Sequence, residues 1–205
     1  MTAIALIEDD AAILRSLQML LENRGMMVRC FRSAESFLAE LQRQPQEQPG
    51  CVVSDIRMPG MSGLDLLHEV MKTAPALPVV LITGHGDIAM AVMAIKAGAF
   101  DFIEKPFDEE RLIASIASAV ERGARERIRQ NERTELEARV SELSPRQREV
   151  MELVAEGLST KEIAIRLDIS PRTVENYRAW VMEKMGANNL AALVRKVVVL
   201  QQRDT

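Results

Sequence analysis

Across residues 1–120, apolar runs of strand length alternate with stretches of helical periodicity, and few folds can absorb that pattern. The runs are Ile4 to Ile7, Met27 to Phe31, Cys51 to Ser54, Val79 to Thr83 and Phe100 to Ile103. Between and after them, Ala11 to Asn23, Ser33 to Gln42, Leu64 to Thr73, Asp87 to Lys96 and Asp108 to Val120 carry apolar residues at helical spacing. The pattern is five βα units, which predicts a mostly parallel sheet covered on both faces. The expected arrangement is flavodoxin-like, with strand order 2-1-3-4-5.

The pattern changes after residue 120. Glu121 to Glu142 is mostly Arg, Glu, Gln and Asn, with apolar residues thinned to Ile128, Leu136 and Val140, so a solvated connecting helix is expected. A spacing of eight then four makes it a poor coiled coil, although a weak dimer seam remains a second reading. Three helix starts follow, each announced by capping chemistry. Ser144-Pro145-Arg146-Gln147 and Ser159-Thr160-Lys161-Glu162 have the form of capping boxes, and Ser170-Pro171 opens another helix. Gly157 and Asp168 are the corresponding stops, and a last helix over Asn188 to Gln201 carries Leu190, Leu193, Val197 and Leu200. An α/β domain over 1–120, a helical linker over 121–140 and an all-α four-helix domain over 141–205 are therefore expected.

Several function classes are disfavoured at once. No run of 18 uncharged apolar residues occurs, and the first ten residues turn acidic before a signal peptide could be completed, so a soluble cytoplasmic protein is expected. Cys30 and Cys51 lie in apolar stretches without partners at metal spacing and read as small buried side chains in a reducing compartment. His68 and His85 stand alone, and neither a Ser-His-Asp set nor a glycine-rich phosphate loop is available. Charge is uneven: 10 basic against 16 acidic residues over 1–120 give −6, while 121–140 and 141–205 each give +1. An acidic first half suits a divalent-cation site, and clustered arginines in the second half suit a nucleic-acid module.

In a parallel sheet a ligand sits outside the carboxyl ends of the strands, where strand order reverses. Glu8 and Asp9 follow the first strand, Asp55 the third, Thr83 the fourth and Lys105 the fifth. Three carboxylates brought that close repel one another unless a cation relieves them, and Mg2+ suits oxygen ligands. Phosphoryl transfer asks for positioning and charge neutralisation, which this set can supply. Asp55 would be the attacking carboxylate, Asp9 and Asp55 would hold Mg2+, and Lys105 and Thr83 would meet the phosphoryl oxygens.

Ile7-Glu8-Asp9-Asp10, Ser54-Asp55-Ile56-Arg57-Met58-Pro59-Gly60-Met61-Ser62-Gly63, Leu81-Ile82-Thr83-Gly84 and Glu104-Lys105-Pro106-Phe107 closely resemble the receiver pattern of two-component response regulators, over about residues 3 to 120. The resemblance implies that Asp55 is phosphorylated, that Glu8 and Asp9 are the metal-binding acidic pair, and that Arg57 offers a backbone carbonyl to the ion. It implies Thr83 as the switch hydroxyl, Lys105 as the phosphate-binding lysine, Phe102 as the switch aromatic and a cis Lys105-Pro106 bond. Phosphorylation would then reshape the face of the fourth helix and fifth strand, with Met90, Val92 and Met93 as the expected dimer face.

In the tail, Thr160 to Leu167, the turn Asp168-Ile169-Ser170 and Pro171 to Lys184 form a helix-turn-helix. Arg172, Thr173, Glu175, Asn176, Arg178 and Ala179 are expected on its open face, with Val174, Tyr177, Val181 and Trp180 towards the core. Such a face can read bases in the major groove, with Lys161, Arg172, Arg178 and Lys184 anchoring phosphates. A small helical interaction domain would satisfy the composition equally. Leu143-Ser144-Pro145-Arg146-Gln147-Arg148-Glu149-Val150, Glu156-Gly157-Leu158-Ser159-Thr160-Lys161-Glu162-Ile163-Ala164 and Ser170-Pro171-Arg172-Thr173-Val174-Glu175 resemble LuxR-type DNA-binding domains over roughly residues 140 to 200. The whole chain is similar to the FixJ subgroup of response regulators. That resemblance implies a regulator rather than an enzyme. It implies Mg2+, a sensor histidine kinase, promoter DNA and a homodimer on phosphorylation, with RNA polymerase as a further candidate partner. An inhibited unphosphorylated state is a separate expectation, on the ground that the linker can hold the tail against the acidic domain. An aspartyl phosphatase would want a second acid where Arg57 stands, and a phosphorylation-dependent protein- or RNA-binding adaptor is the other alternative.

Overall fold

The computed structural model describes residues 3–84 and 88–201, in two compact units, Met1–Arg127 and Ile128–Thr205. In the first unit β1 (Ile4–Ile7), β2 (Val28–Phe31), β3 (Cys51–Asp55), β4 (Val79–Thr83) and β5 (Asp101–Glu104) alternate with α1 (Ala11–Asn23), α2 (Ala34–Arg43), α3 (Gly63–Thr73) and α4 (Ile88–Lys96). The start of α4 expected at Asp87 lies outside the described residues, as does His85. All strand pairs are parallel, in the order β2-β1-β3-β4-β5. The expected doubly covered sheet is thus present.

Side chains alternate across the pleat and build two separate cores. Ala5, Ile7, Val52, Val79 and Leu81 pack beneath Phe37, Leu41, Leu66, Leu67, Val70 and Ala94 of α2, α3 and α4. Ile4, Leu6, Cys51, Val53, Val80 and Ile82 face the opposite way, against Leu14, Leu17 and Leu21 of α1 and Leu112, Ile116 and Ala119 of α5 (Glu109–Ser141). Burial on both faces is why these strands read as continuous apolar runs rather than alternating ones.

Three expectations about burial need correction. Cys30 is exposed, whereas Cys51 is buried. β2 is an edge strand with a single neighbour, and burial along it is weaker than in the central strands. Met90 packs against the α2–α4 core instead of joining the open face of α4; that face is carried by Ile88, Val92, Met93 and Ile95, each at least 45% exposed. Trp180 is 49% exposed, its ring meeting Tyr177 edge-on at 5.6 Å.

The helix expected over 108–120 and the one expected over 121–142 are a single helix, the 33-residue α5. Arg-Glu pairs at i,i+4 spacing, such as Arg125–Glu121 and Arg139–Glu135, line its surface. Solvation holds for Ile128, which is 59% exposed, but not for Leu136, which is 8% exposed and packs with Val140 into the core of the second unit.

That second unit continues with α6 (Pro145–Ala155), α7 (Thr160–Leu167), α8 (Pro171–Lys184) and α9 (Leu190–Gln201). Both capping boxes form, Ser144 with Gln147 and Ser159 with Glu162, and the Ser170 hydroxyl accepts from the Thr173 N–H. Asp168 closes α7 in the left-handed conformation at φ 53°, which a short polar side chain tolerates and which reverses the chain into α8. Val150, Val154, Ile163, Val174, Val181, Leu193 and Val197 fill its core. Among the described residues no helix is long and apolar enough to cross a membrane.

Candidate functional site

Strand register sets the position of each polar residue at the carboxyl edge of the sheet. Ile7 lies beside Ser54, Asp55 beside Ile82 and Thr83 beside Glu104, so the residues at and just past these strand ends fall at one edge. The order reverses between β1 and β3, where a crevice is expected. Glu8, Asp9 and Asp55 each place one carboxylate oxygen there, all within 4.8 Å of one another. The Lys105 ammonium donates to Glu8 Oε2 at 2.9 Å and to Asp55 Oδ1 at 3.3 Å, joining chain positions 8, 55 and 105.

Electrostatics in this crevice are unbalanced. Glu8 is 3% exposed, and burial raises its pKa although Lys105 works in the opposite direction. For Lys105, burial works to lower the pKa, but the Glu8 hydrogen bond and the charges of Asp55 and Glu8 outweigh it and hold the ammonium firmly protonated. One ammonium facing three carboxylates leaves room for further positive charge. The donor set is all oxygen, hard in character and without thiolate or imidazole, which fits Mg2+ or a similar ion.

The remaining receiver-type residues are placed as follows. Thr83 is fully buried, and its carbonyl accepts from the Lys105 N–H at 2.7 Å, so it sits directly beside the lysine. Phe102 lies opposite Leu81 and is partly buried against the α2–α4 core. Arg57 is exposed in the loop two residues past Asp55. The Lys105-Pro106 bond is cis, as expected. His68 is exposed on α3, with Nδ1 2.8 Å from the Leu64 carbonyl.

Two roles escaped the sequence reading. Asp10 is not part of the acidic cluster: its carboxylate caps α1, accepting from the Ala12 and Ile13 N–H groups at 2.7 and 3.1 Å, which holds its pKa low. The signal was available, because Asp before a helical pattern favours the N-cap. Gly63 begins α3 so close to the end of β3 that a Cβ would stand 2.3 Å from the Asp55 carbonyl oxygen. No spacing rule reveals such an approach. Gly63→Ala is expected to cost about 1–3 kcal/mol through forced displacement of one element. Urea unfolding checks this, and an unchanged midpoint would contradict it.

In the second unit, Arg172, Glu175, Asn176 and Ala179 are all exposed on α8, and their spacing of three, one and three puts them on one stripe. Thr173 and Arg178 flank it half-buried, the Thr173 hydroxyl lying 2.8 Å from that of Ser170. Val174 and Val181 anchor the opposite side. Lys161 is exposed at the start of α7. Lys184 differs: its ammonium donates to the Glu142 carbonyl at 2.7 Å and to Gln147 Oε1 at 3.3 Å, fastening α8 to the turn before α6 and leaving it one donor.

Comparison with known proteins matches residues 4–117 to the response regulator receiver domain and residues 141–197 to the luxR family of bacterial regulatory proteins. The chain is 48% identical over 192 residues to the transcriptional regulatory protein FixJ of Bradyrhizobium diazoefficiens, covering 94% of this chain and 92% of that protein. It is 40% identical to the response regulator protein TmoT of Ectopseudomonas mendocina, over 95% of this chain and 87% of the relative. Among solved structures, the response regulator StyR superposes with a TM-score of 0.80 at 37% identity, covering 97% of this chain and 99% of StyR. Full-length FixJ from B. japonicum does so at 0.58 and 45% identity, covering 99% and 98%.

Proposed function

The chain belongs to the response regulators that join a receiver domain to a LuxR-family DNA-binding domain, a FixJ-like group of transcription regulators, and on that footing we propose that phosphorylation of Asp55 controls its binding to promoter DNA. The observation that carries this reading is the Lys105 ammonium joining Glu8 and Asp55 at the sheet's switch point, with Asp9 alongside. The donor is a phosphohistidine on a sensor kinase: the N–P bond breaks, a bond forms between an Asp55 carboxylate oxygen and phosphorus, and the imidazole is released.

The chain's own groups divide the work. Lys105 stays charged throughout and meets the developing charge on the phosphoryl oxygens. Glu8, Asp9, Asp55 and the Arg57 carbonyl would hold Mg2+, whose charge neutralises oxygens that repel the incoming carboxylate. Thr83 then offers its hydroxyl to the new phosphoryl group, and Phe102 follows into the space beside it. The exposed Ile88, Val92, Met93 and Ile95 of α4 favour homodimerisation through the α4–β5 face once that surface changes. In functional terms 1–120 is the acceptor domain, 121–140 the linker and 141–205 the DNA-binding domain, working in the cytoplasm, where the promoter and RNA polymerase are found.

The direct test is peptide mass analysis after incubation with acetyl phosphate and Mg2+. One phosphoryl group on the peptide bearing Asp55 is expected. Asp9→Asn removes one anionic ligand and is expected to raise the Mg2+ concentration for half-maximal labelling about tenfold or more. Labelling of the wild type that persists with all divalent ions chelated would remove the metal from this account.

A further inference from the structure

The loops that carry the acidic cluster are not held by the sheet alone. One follows β1 and bears Glu8 and Asp9; the other follows β3 and runs from Ile56 to the α3 cap at Ser62. Both are reached by the short corner between β2 and α2. From that corner Arg32 Nη2 donates to the Asp9 carbonyl at 3.2 Å. Glu35, in the first turn of α2, accepts from the Met61 N–H at 2.8 Å. Gly60 passes under the same carboxylate at φ 78°, where a Cβ would stand 2.6 Å from Glu35 Oε1.

We propose that Arg32 and Glu35 are positioning residues for phosphoryl acceptance, one holding the Asp9 loop and the other the loop after Asp55, so that the three carboxylates share one cation. This rests on the reading of Asp55 as the acceptor. Neither residue reaches the cluster with its own side chain. Each acts by fixing a backbone group whose neighbours do, Asp9 directly and Asp55 through the chain that returns to it by way of Gly63. Displacements well below an ångström matter at such a site, because ligand oxygens must keep their mutual geometry for an ion that tolerates little distortion.

Independent features agree with a brace. The Glu35 carboxyl is held below its ordinary range by hydrogen bonds from its own N–H and from Met61, so it is an anion accepting charge-assisted bonds. The β2 strand end is itself tied to the site, since the Glu8 N–H donates to the Phe31 carbonyl at 3.1 Å. Arg32 follows that residue immediately, so its anchor is short and its reach to Asp9 is set by a paired strand.

The test uses full-length Arg32→Ala, Arg32→Lys, Glu35→Ala and Glu35→Gln, all at exposed positions. Mn2+ serves as the metal probe, with labelling by acetyl phosphate and amide hydrogen exchange at Met61 measured alongside. Both alanine variants are expected to weaken Mn2+ binding and slow labelling about tenfold with the thermal midpoint nearly unchanged. Lysine and glutamine, which keep a donor and an acceptor respectively, are expected to recover most of that loss. Exchange at Met61 should quicken in Glu35→Ala alone. Mn2+ affinity and labelling both within twofold of wild type in the alanine variants would overturn the brace, as would alanine and conservative variants that behave alike. If wild type takes no label at all, the acceptor role of Asp55 falls, and the Mn2+ and exchange results still decide the brace.

Discussion

Asp55→Asn is expected to abolish phosphoryl uptake outright, leaving no label from acetyl phosphate or a phosphohistidine donor. An amide of the same shape keeps the strand end intact but lacks the anionic oxygen that would attack phosphorus. The fold should survive. Asp55 terminates β3, whose preceding residues are buried on both faces of the sheet, and the loss of one carboxylate relieves repulsion in a crowded acidic crevice. The consequence reaches beyond labelling. Moving a two-state surface from 1:99 to 99:1 takes about 5.5 kcal/mol, and without the phosphoryl group nothing supplies it. Under phosphorylating conditions the variant should therefore sediment as the unmodified protein does and bind promoter DNA no better than unphosphorylated wild type. Label at another residue, or dimerisation and DNA binding equal to phosphorylated wild type, would remove Asp55 from the centre of the mechanism.

The second large effect is expected on α8. Arg172→Ala and Asn176→Ala should each weaken binding to the specific duplex by about 1–3 kcal/mol, which is roughly 5- to 150-fold. Both side chains project from one exposed stripe while Val174 and Val181 hold the helix to its core, so affinity can fall without loss of folding. The two differ in kind. Loss of an arginine that meets a phosphate lowers the salt dependence by about one unit and weakens all sequences alike, whereas loss of an asparagine that meets a base relaxes preference at one position. Gel shifts on cognate and scrambled duplexes at several salt concentrations separate these effects. Lys184→Ala is a poorer probe, because its ammonium also fastens α8 to Glu142 and Gln147. Unchanged affinity in Arg172→Ala and Asn176→Ala would move the contact surface elsewhere, and tight binding to structured RNA with none to duplex DNA would favour the adaptor reading.

Much of the candidate site was legible because its members stand at strand ends. Glu8, Asp9, Asp55, Thr83 and Lys105 could be collected from the chain once the sheet order was set, and the structure brings Glu8, Asp55 and Lys105 into direct contact. What stayed hidden depends on close approach. Gly63 is required by the Asp55 carbonyl, and Arg32 and Glu35 act on loops 23 and 26 residues away in the chain. No periodicity encodes such distances.

By itself the sequence determined the five βα units, the capped helices of the tail and the helix-turn-helix, since each follows from side-chain period and capping within a few residues, while the strand order was expected only from the usual arrangement of such units. The tertiary structure decided which apolar residues are covered. Cys30 opens to solvent because β2 lies at an edge, Met90 turns inward under α4, Trp180 turns outward, and Leu136 leaves a charged helix to complete the second unit's core. Burial is a property of the neighbour as much as of the residue, and neighbours are assigned only when distant segments pack.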